Sequence, residues 1–231
     1  PYDVPEWFET PKEDPYEKYL QTIRYTDHFV ERVCAELRAN GLEKNTLLCV
    51  LGDHGTSFRT EKGKGRWIPY EEVIRIPWVI RWPGHVEPGR RIEWPCSQMD
   101  VTPTILNLLG FDISKAAFDG CNCLSEVGFE RRIYFSSLLP NSPLGFVEGK
   151  RKVVYWPYIE KVFEYALTGD PDEQNAIRIP TEMTEEIKTD ILVWKERSQI
   201  AIDAKKHTKQ LLFSHWRTFS AGRSAWAYYV P

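Results

Sequence analysis

Apolar and polar positions alternate along the chain in two rhythms. From Tyr16 to Asn40 the residues Tyr19, Leu20, Ile23, Val30, Val33, Cys34 and Leu37 recur at helical spacing, and Asn40-Gly41 supplies a stop. Short runs without that period, Thr46 to Leu51 and Ile76 to Trp82, predict buried strands. Pro83-Gly84 closes the second. Thr102 followed by Pro103 predicts a capped helix ending at Gly110. Ile133 to Ser136 predicts another strand. Lys152 to Trp156 and Lys161 to Leu167 predict a hairpin. Thr181 to Ala204 predicts a long amphipathic helix through Ile187, Ile191, Leu192, Trp194 and Ile200. Pro1 to Pro15 and Thr56 to Pro69 have the composition of loops.

This order predicts an α/β fold with a mostly parallel sheet flanked by helices, followed by a small α+β subdomain. The boundaries are set at 1–149 for the α/β part, 150–204 for the subdomain and 205–231 for a covering arm. That arm mixes Lys and His with Phe213, Trp216, Phe219, Trp226, Tyr228 and Tyr229.

Composition narrows the class. Of 231 residues 42% are apolar and 27% charged, as in a globular chain. A formal charge of -3 gives no basic footprint for nucleic acid. No apolar run approaches the roughly 18 residues of a membrane span. Five cysteines give no even disulfide framework. Cys34 and Cys49 fall on apolar faces as small core residues, and Cys121-Asn122-Cys123 is too tight for a usual zinc pair. The chain opens at Pro1 without an initiator Met or signal peptide, so a piece of a longer protein is expected.

The candidate chemistry follows the first strand. Leu51-Gly52-Asp53-His54-Gly55 sets two metal-capable side chains at the end of an apolar run, where α/β sheets collect ligands. Asp53 offers a hard oxygen. His54 can ligate a metal or donate a hydrogen bond. Gly55 would let the chain turn without a Cβ penalty. Then come Tyr70-Glu71-Glu72 with Arg75-Ile76-Pro77, Arg81-Trp82-Pro83-Gly84, Asp100-Val101-Thr102-Pro103-Thr104, Phe118-Asp119-Gly120, and Phe163-Glu164-Tyr165 before Asp170-Pro171-Asp172-Glu173-Gln174-Asn175.

In this order the series resembles the C-terminal half of the sulfatases, in the alkaline-phosphatase superfamily. The resemblance implies an incomplete alkaline-phosphatase-like domain, with Asp53 as a metal ligand and His54 at the adjoining family position. A family Lys lies twelve residues beyond the His and four before the Tyr. Both counts reach Arg66, which keeps the charge but cannot donate a proton as Lys does. Lys64 is the alternative if the loop is re-routed, Lys62 belongs to the same charged loop, and Glu61 stands where the family carries a His. Tyr70-Glu71-Glu72 is expected to shape the loop. The family's nucleophile motif, Cys/Ser-x-Pro-x-Arg, is absent and would lie before Pro1, so the chain alone is expected to be an incomplete, inactive site.

The implied reaction is hydrolysis of a small-molecule or glycan sulfate ester, with Ca²⁺ as the favoured divalent metal and the N-terminal half of the same protein as partner. Two alternatives stay open. One is a phosphoryl transferase or phosphodiesterase of the superfamily, such as a phosphoglycerol or phosphoethanolamine transferase, working with Mn²⁺ or Zn²⁺. The other is a non-catalytic binding module.

Overall fold

A computed structural model describes residues 3–10, 12–58, 68–125, 128, 130–136 and 141–199. Helix α1 (Pro15–Ala39) starts where Asp14 accepts from the amides of Tyr16 and Glu17, and Pro15 needs no intrahelical donor there. Strand β1 (Leu48–Leu51) pairs antiparallel with β2 (Trp78–Arg81), Leu51 opposite Trp78. At the end of β2, Arg81 pairs with Glu43, and just beyond it Trp82 Nε1 donates to Lys44 O at 2.9 Å. The Arg81-Trp82-Pro83-Gly84 stretch is thereby fastened to the turn that leads into β1. Between the strands lies α2 (Glu71–Ile74), a single turn that the sequence pattern did not reveal.

Helix α3 (Val101–Leu108) is not capped by Thr102. The cap belongs to Ser97, in a 3-10 turn (Gln98–Asp100) that runs straight into α3. Ser97 Oγ accepts from the Met99 amide and Asp100 returns to the Ser97 amide. The start signal is a Ser and an Asp three residues apart, and it lies one turn earlier than Thr102-Pro103 suggests.

The remaining strands form a five-stranded meander, β3 (Arg132–Phe135), β4 (Leu144–Glu148), β5 (Arg151–Trp156), β6 (Lys161–Ala166) and β7 (Ile177–Arg178). The expected boundary at 149/150 falls in the β4–β5 turn, where Gly149 has φ 59°. Residues 181–199 form helix α4. Its Ile191, with Ile187 beside it, joins Leu144, Phe146, Val153, Tyr155 and Val162 in the main core. Trp194 stacks on Tyr134 at 5.0 Å, and Asp190 accepts from Tyr134 Oη and pairs with Arg132.

The α/β class with an α+β subdomain describes these elements, but every described strand pair is antiparallel rather than parallel. The reason is physical. An apolar run is compatible with a neighbour running either way, so composition carries no strand direction; β1 and β2 are moreover only partly covered, with Leu51 and Val79 exposed. The expected arm at 205–231 lies outside the described residues.

Candidate active site

Asp53 and His54 leave the carboxyl end of β1 as the sequence implied. The Gly52 amide still donates to Pro77 O at 3.1 Å, so the ladder ends one residue before Asp53. Both side chains are open, at 89% and 73% exposure. They stand on the wall of a broad concavity of about 2280 Å³, which Arg75, Trp78 and Gln98 also line. The His54 amide donates to Asp53 Oδ1 at 2.8 Å. His54 Nδ1 lies 2.7 Å from Gly55 O, a contact that needs the ring proton on Nδ1. In the neutral ring, Nε2 then keeps its lone pair. It lies 3.8 Å from Asp53 Oδ2. Two donor atoms at that separation suit one cation, a hard oxygen and an imidazole nitrogen.

The turn is held by its backbone. Gln98 Nε2 donates to Gly52 O at 3.2 Å and Asp53 O at 2.9 Å. The Gly55 amide donates to Val73 O at 2.7 Å, and a Cβ on Gly55 would overlap the Glu72 carbonyl oxygen. Glycine is needed here for close approach. Its φ is not positive, so the conformational argument from the sequence is replaced by a packing one. Ser57 Oγ donates to Glu72, and Phe58 packs on Tyr16 and Tyr19 of α1 at 5.3 and 5.2 Å.

Glu72 and Val73 therefore hold residues 55–57, the described start of the loop, while residues 59–67 lie outside the described residues. Glu71 also reaches the meander: its amide donates to Glu173 Oε2 at 2.6 Å and its carboxylate lies 3.2 Å from Lys152 Nζ. Lys152 and Glu173 were not foreseen. A lysine in a strand ordinarily signals a solvated face, and its partners lie 81 residues earlier and 21 later in the chain.

The role of Asp100, named from the sequence only as part of the Asp100-Val101-Thr102-Pro103-Thr104 stretch, was also missed. It is fully buried. Oδ1 accepts from the Cys121 amide at 2.8 Å and Arg131 Nη2 at 2.7 Å; Oδ2 accepts from the Ser97 amide at 2.7 Å and Arg131 Nη1 at 2.8 Å. Burial alone pushes its pKa up. Arg131 and the two amides outweigh it, and the net direction is down. A Cβ on Gly120 would overlap the Met99 carbonyl, so the Phe118-Asp119-Gly120 turn closes on the same node.

Arg66, Lys64, Lys62 and Glu61 lie outside the described residues. Among the described residues, Asp53 and His54 gather no third His, Cys, Asp or Glu donor.

Comparison with known proteins bears on the arrangement. The Sulfatase family model matches residues 1–111. The chain is 34% identical over 109 residues to steryl-sulfatase of Rattus norvegicus, covering 41% of this chain and 19% of that protein. It is 33% identical over 95 residues to endo-4-O-sulfatase of Bacteroides thetaiotaomicron, covering 40% and 18%. Lipoteichoic acid synthase 2 of Bacillus subtilis is similar at 28% over 119 residues, covering 48% and 18%. The crystal structure of Ps i-CgsB in complex with k-i-k-neocarrahexaose shares the fold, with TM-score 0.61 and 20% identity over 85% of this chain and 47% of that one. The matched stretches thus span about a fifth of the curated relatives and about half of the solved structure. An ordered motif series and a matching family model over residues 1–111 agree, and this part of the chain is similar to the sulfatase family, whose fold the solved structure shares.

Proposed function

We propose that the chain is the carboxyl-terminal part of a divalent-metal-dependent sulfatase, in which Asp53 and His54 each contribute one ligand of the cation. The observation that carries this reading is the turn itself. It presents Asp53 Oδ2 and His54 Nε2, 3.8 Å apart, at a strand's carboxyl end, while Gln98 grips its backbone. A hard divalent ion such as Ca²⁺ takes six to eight oxygen ligands. These two residues fit such a cation without completing its shell, and the reading places the other ligands and the nucleophile outside this chain.

The bound metal would neutralise the ester oxygens and polarise the centre under attack. Arg66 would fork onto the sulfate oxygens, with Lys64 in that role if the loop is re-routed. A glycan sulfate ester is the favoured substrate class, supported by the similarity to an endo-4-O-sulfatase and to a structure bound to a neocarrahexaose. The similarity to lipoteichoic acid synthase 2 supports the second reading, phosphoryl transfer with Mn²⁺ or Zn²⁺.

The test uses the longer protein that contains this chain. It should hydrolyse an aryl sulfate but not an aryl phosphodiester, lose turnover to a chelator and regain it with Ca²⁺. Asp53→Ala should abolish the activity. Turnover indifferent to Asp53→Ala, or confined to the phosphodiester, would overturn the proposal.

A further inference from the structure

A second cluster of reactive side chains lies beside α3. Cys96 Sγ, Cys123 Sγ and an Asp100 carboxylate oxygen all lie within 4.8 Å of one another. Cys96 is half-buried and Cys123 buried. Both segments are held in place. Trp94 Nε1 donates to Cys123 O at 3.2 Å, the Cys123 amide donates to Thr104 Oγ1 at 2.9 Å, and the Ser97 amide donates to Asp100.

Such a trio suits either a soft metal ion or a sulfur–sulfur bond. Asp100 decides between them. Each of its oxygens already accepts from Arg131 and from a backbone amide. A cation bound here would have to displace those donors and sit against a guanidinium. Two sulfurs alone are too few for tetrahedral zinc.

We propose that Cys96 and Cys123 form a dithiol site for thiol–disulfide exchange, whose co-substrate is a small-molecule disulfide such as oxidised glutathione. The more exposed Cys96 attacks as thiolate. Its sulfur bonds to one sulfur of the small disulfide and expels the other as a thiolate. Cys123 then loses its proton to solvent base, and its sulfur attacks Cys96 Sγ and expels the second small thiolate. Two protein thiols become one disulfide and one small disulfide becomes two thiols. The hydrogen bond from the Cys123 thiol pulls the Cys96 pKa down against burial; the same bond, with burial, pushes Cys123 up. That asymmetry supports the order of attack. Cys121 is engaged elsewhere, since Arg131 Nη1 donates to its sulfur at 2.9 Å.

The bond would tie residue 96, two positions before Gln98, to the segment behind α3. It would thus fix the turn that grips the Asp53 backbone.

The experiment takes the full chain, reduces it, exposes it to oxidised glutathione, traps free thiols with a maleimide and maps tryptic peptides. Two of the five cysteines should escape the maleimide, in a linked pair of peptides 92–115 and 116–131 whose fragmentation places the bridge on Cys123. Cys121→Ser should keep the bridge. Cys96→Ser should abolish it and leave all four remaining cysteines alkylated. Five alkylated cysteines, or a bridge on Cys121, would overturn the proposal. So would stoichiometric Zn²⁺ held against a chromogenic chelator and lost in Cys96→Ser.

Discussion

Lys152 Nζ lies 2.7 Å from Glu173 Oε1, and the two side chains are 0% and 1% exposed. Glu173 holds φ at 53°, a left-handed conformation that a glutamate adopts only where its surroundings require it. Its second oxygen takes the Glu71 amide. Two carboxylates thus share one buried ammonium across the joint between the meander and the turn that carries Gly55.

Removing the ammonium leaves two uncompensated carboxylates. Lys152→Met should lower stability by about 3–5 kcal/mol, measured by urea unfolding followed through tryptophan fluorescence. A loss below about 1 kcal/mol, the range of an exposed pair, would mean that the triad does not hold the joint.

Gly55→Ala forces a methyl into the Glu72 carbonyl. It should destabilise by about 1–3 kcal/mol, the range for overpacking. Gly169→Ala, which meets open space, should stay within about 0.5 kcal/mol and serves as the control. Equal effects at both positions would remove the close-approach argument.

The Asp100–Arg131 pair should make stability fall in acid. The folded-state pKa of Asp100 is lowered, so its contribution is fully present above the ordinary carboxylate pKa and is lost as pH falls through the folded value. Asp100→Asn should be about 3 kcal/mol less stable near neutrality, and the gap should narrow below about pH 4. Unfolding midpoints of both forms across pH 3–7 check this. A gap that is constant with pH would assign the difference to shape rather than charge.

Arg66 is tested in the longer protein. A charge-assisted bond to an ionised group contributes about 1.5–3 kcal/mol, so Arg66→Ala should reduce kcat/KM by about ten- to a hundredfold. Lys64→Ala should do less. Arg66→Lys separates simple anion attraction, which Lys retains, from a bidentate fork, which it does not. If Lys64→Ala is crippling and Arg66→Ala silent, the role moves to Lys64.

The sequence displayed what depends on local order. The period of α1, the apolar runs of β1 and β2, and the Asp53-His54 pair behind β1 were all legible because each is written in consecutive residues. What escaped depends on distance. Lys152 looks solvated until Glu71 and Glu173 arrive from other parts of the chain, and Asp100 is only one position of a motif until Arg131 closes on it. Helix α2 is too short for a period, and β4 follows the proline-rich 140–143 stretch, where turn residues mask the strand. Gly55 was singled out correctly and for the wrong reason, because steric approach by another segment leaves no mark in its own neighbourhood.

Gln98 grips the carbonyls of residues 52 and 53, not their side chains. Backbone path and side-chain identity are therefore uncoupled at this corner. Asn in place of Asp53 could still accept the His54 amide, and a different residue at 54 would leave both Gln98 bonds untouched. Substitution at these two positions leaves the Gln98 grip on the backbone intact, whereas the same freedom is denied to Gly55 next door, where a Cβ would meet the Glu72 carbonyl.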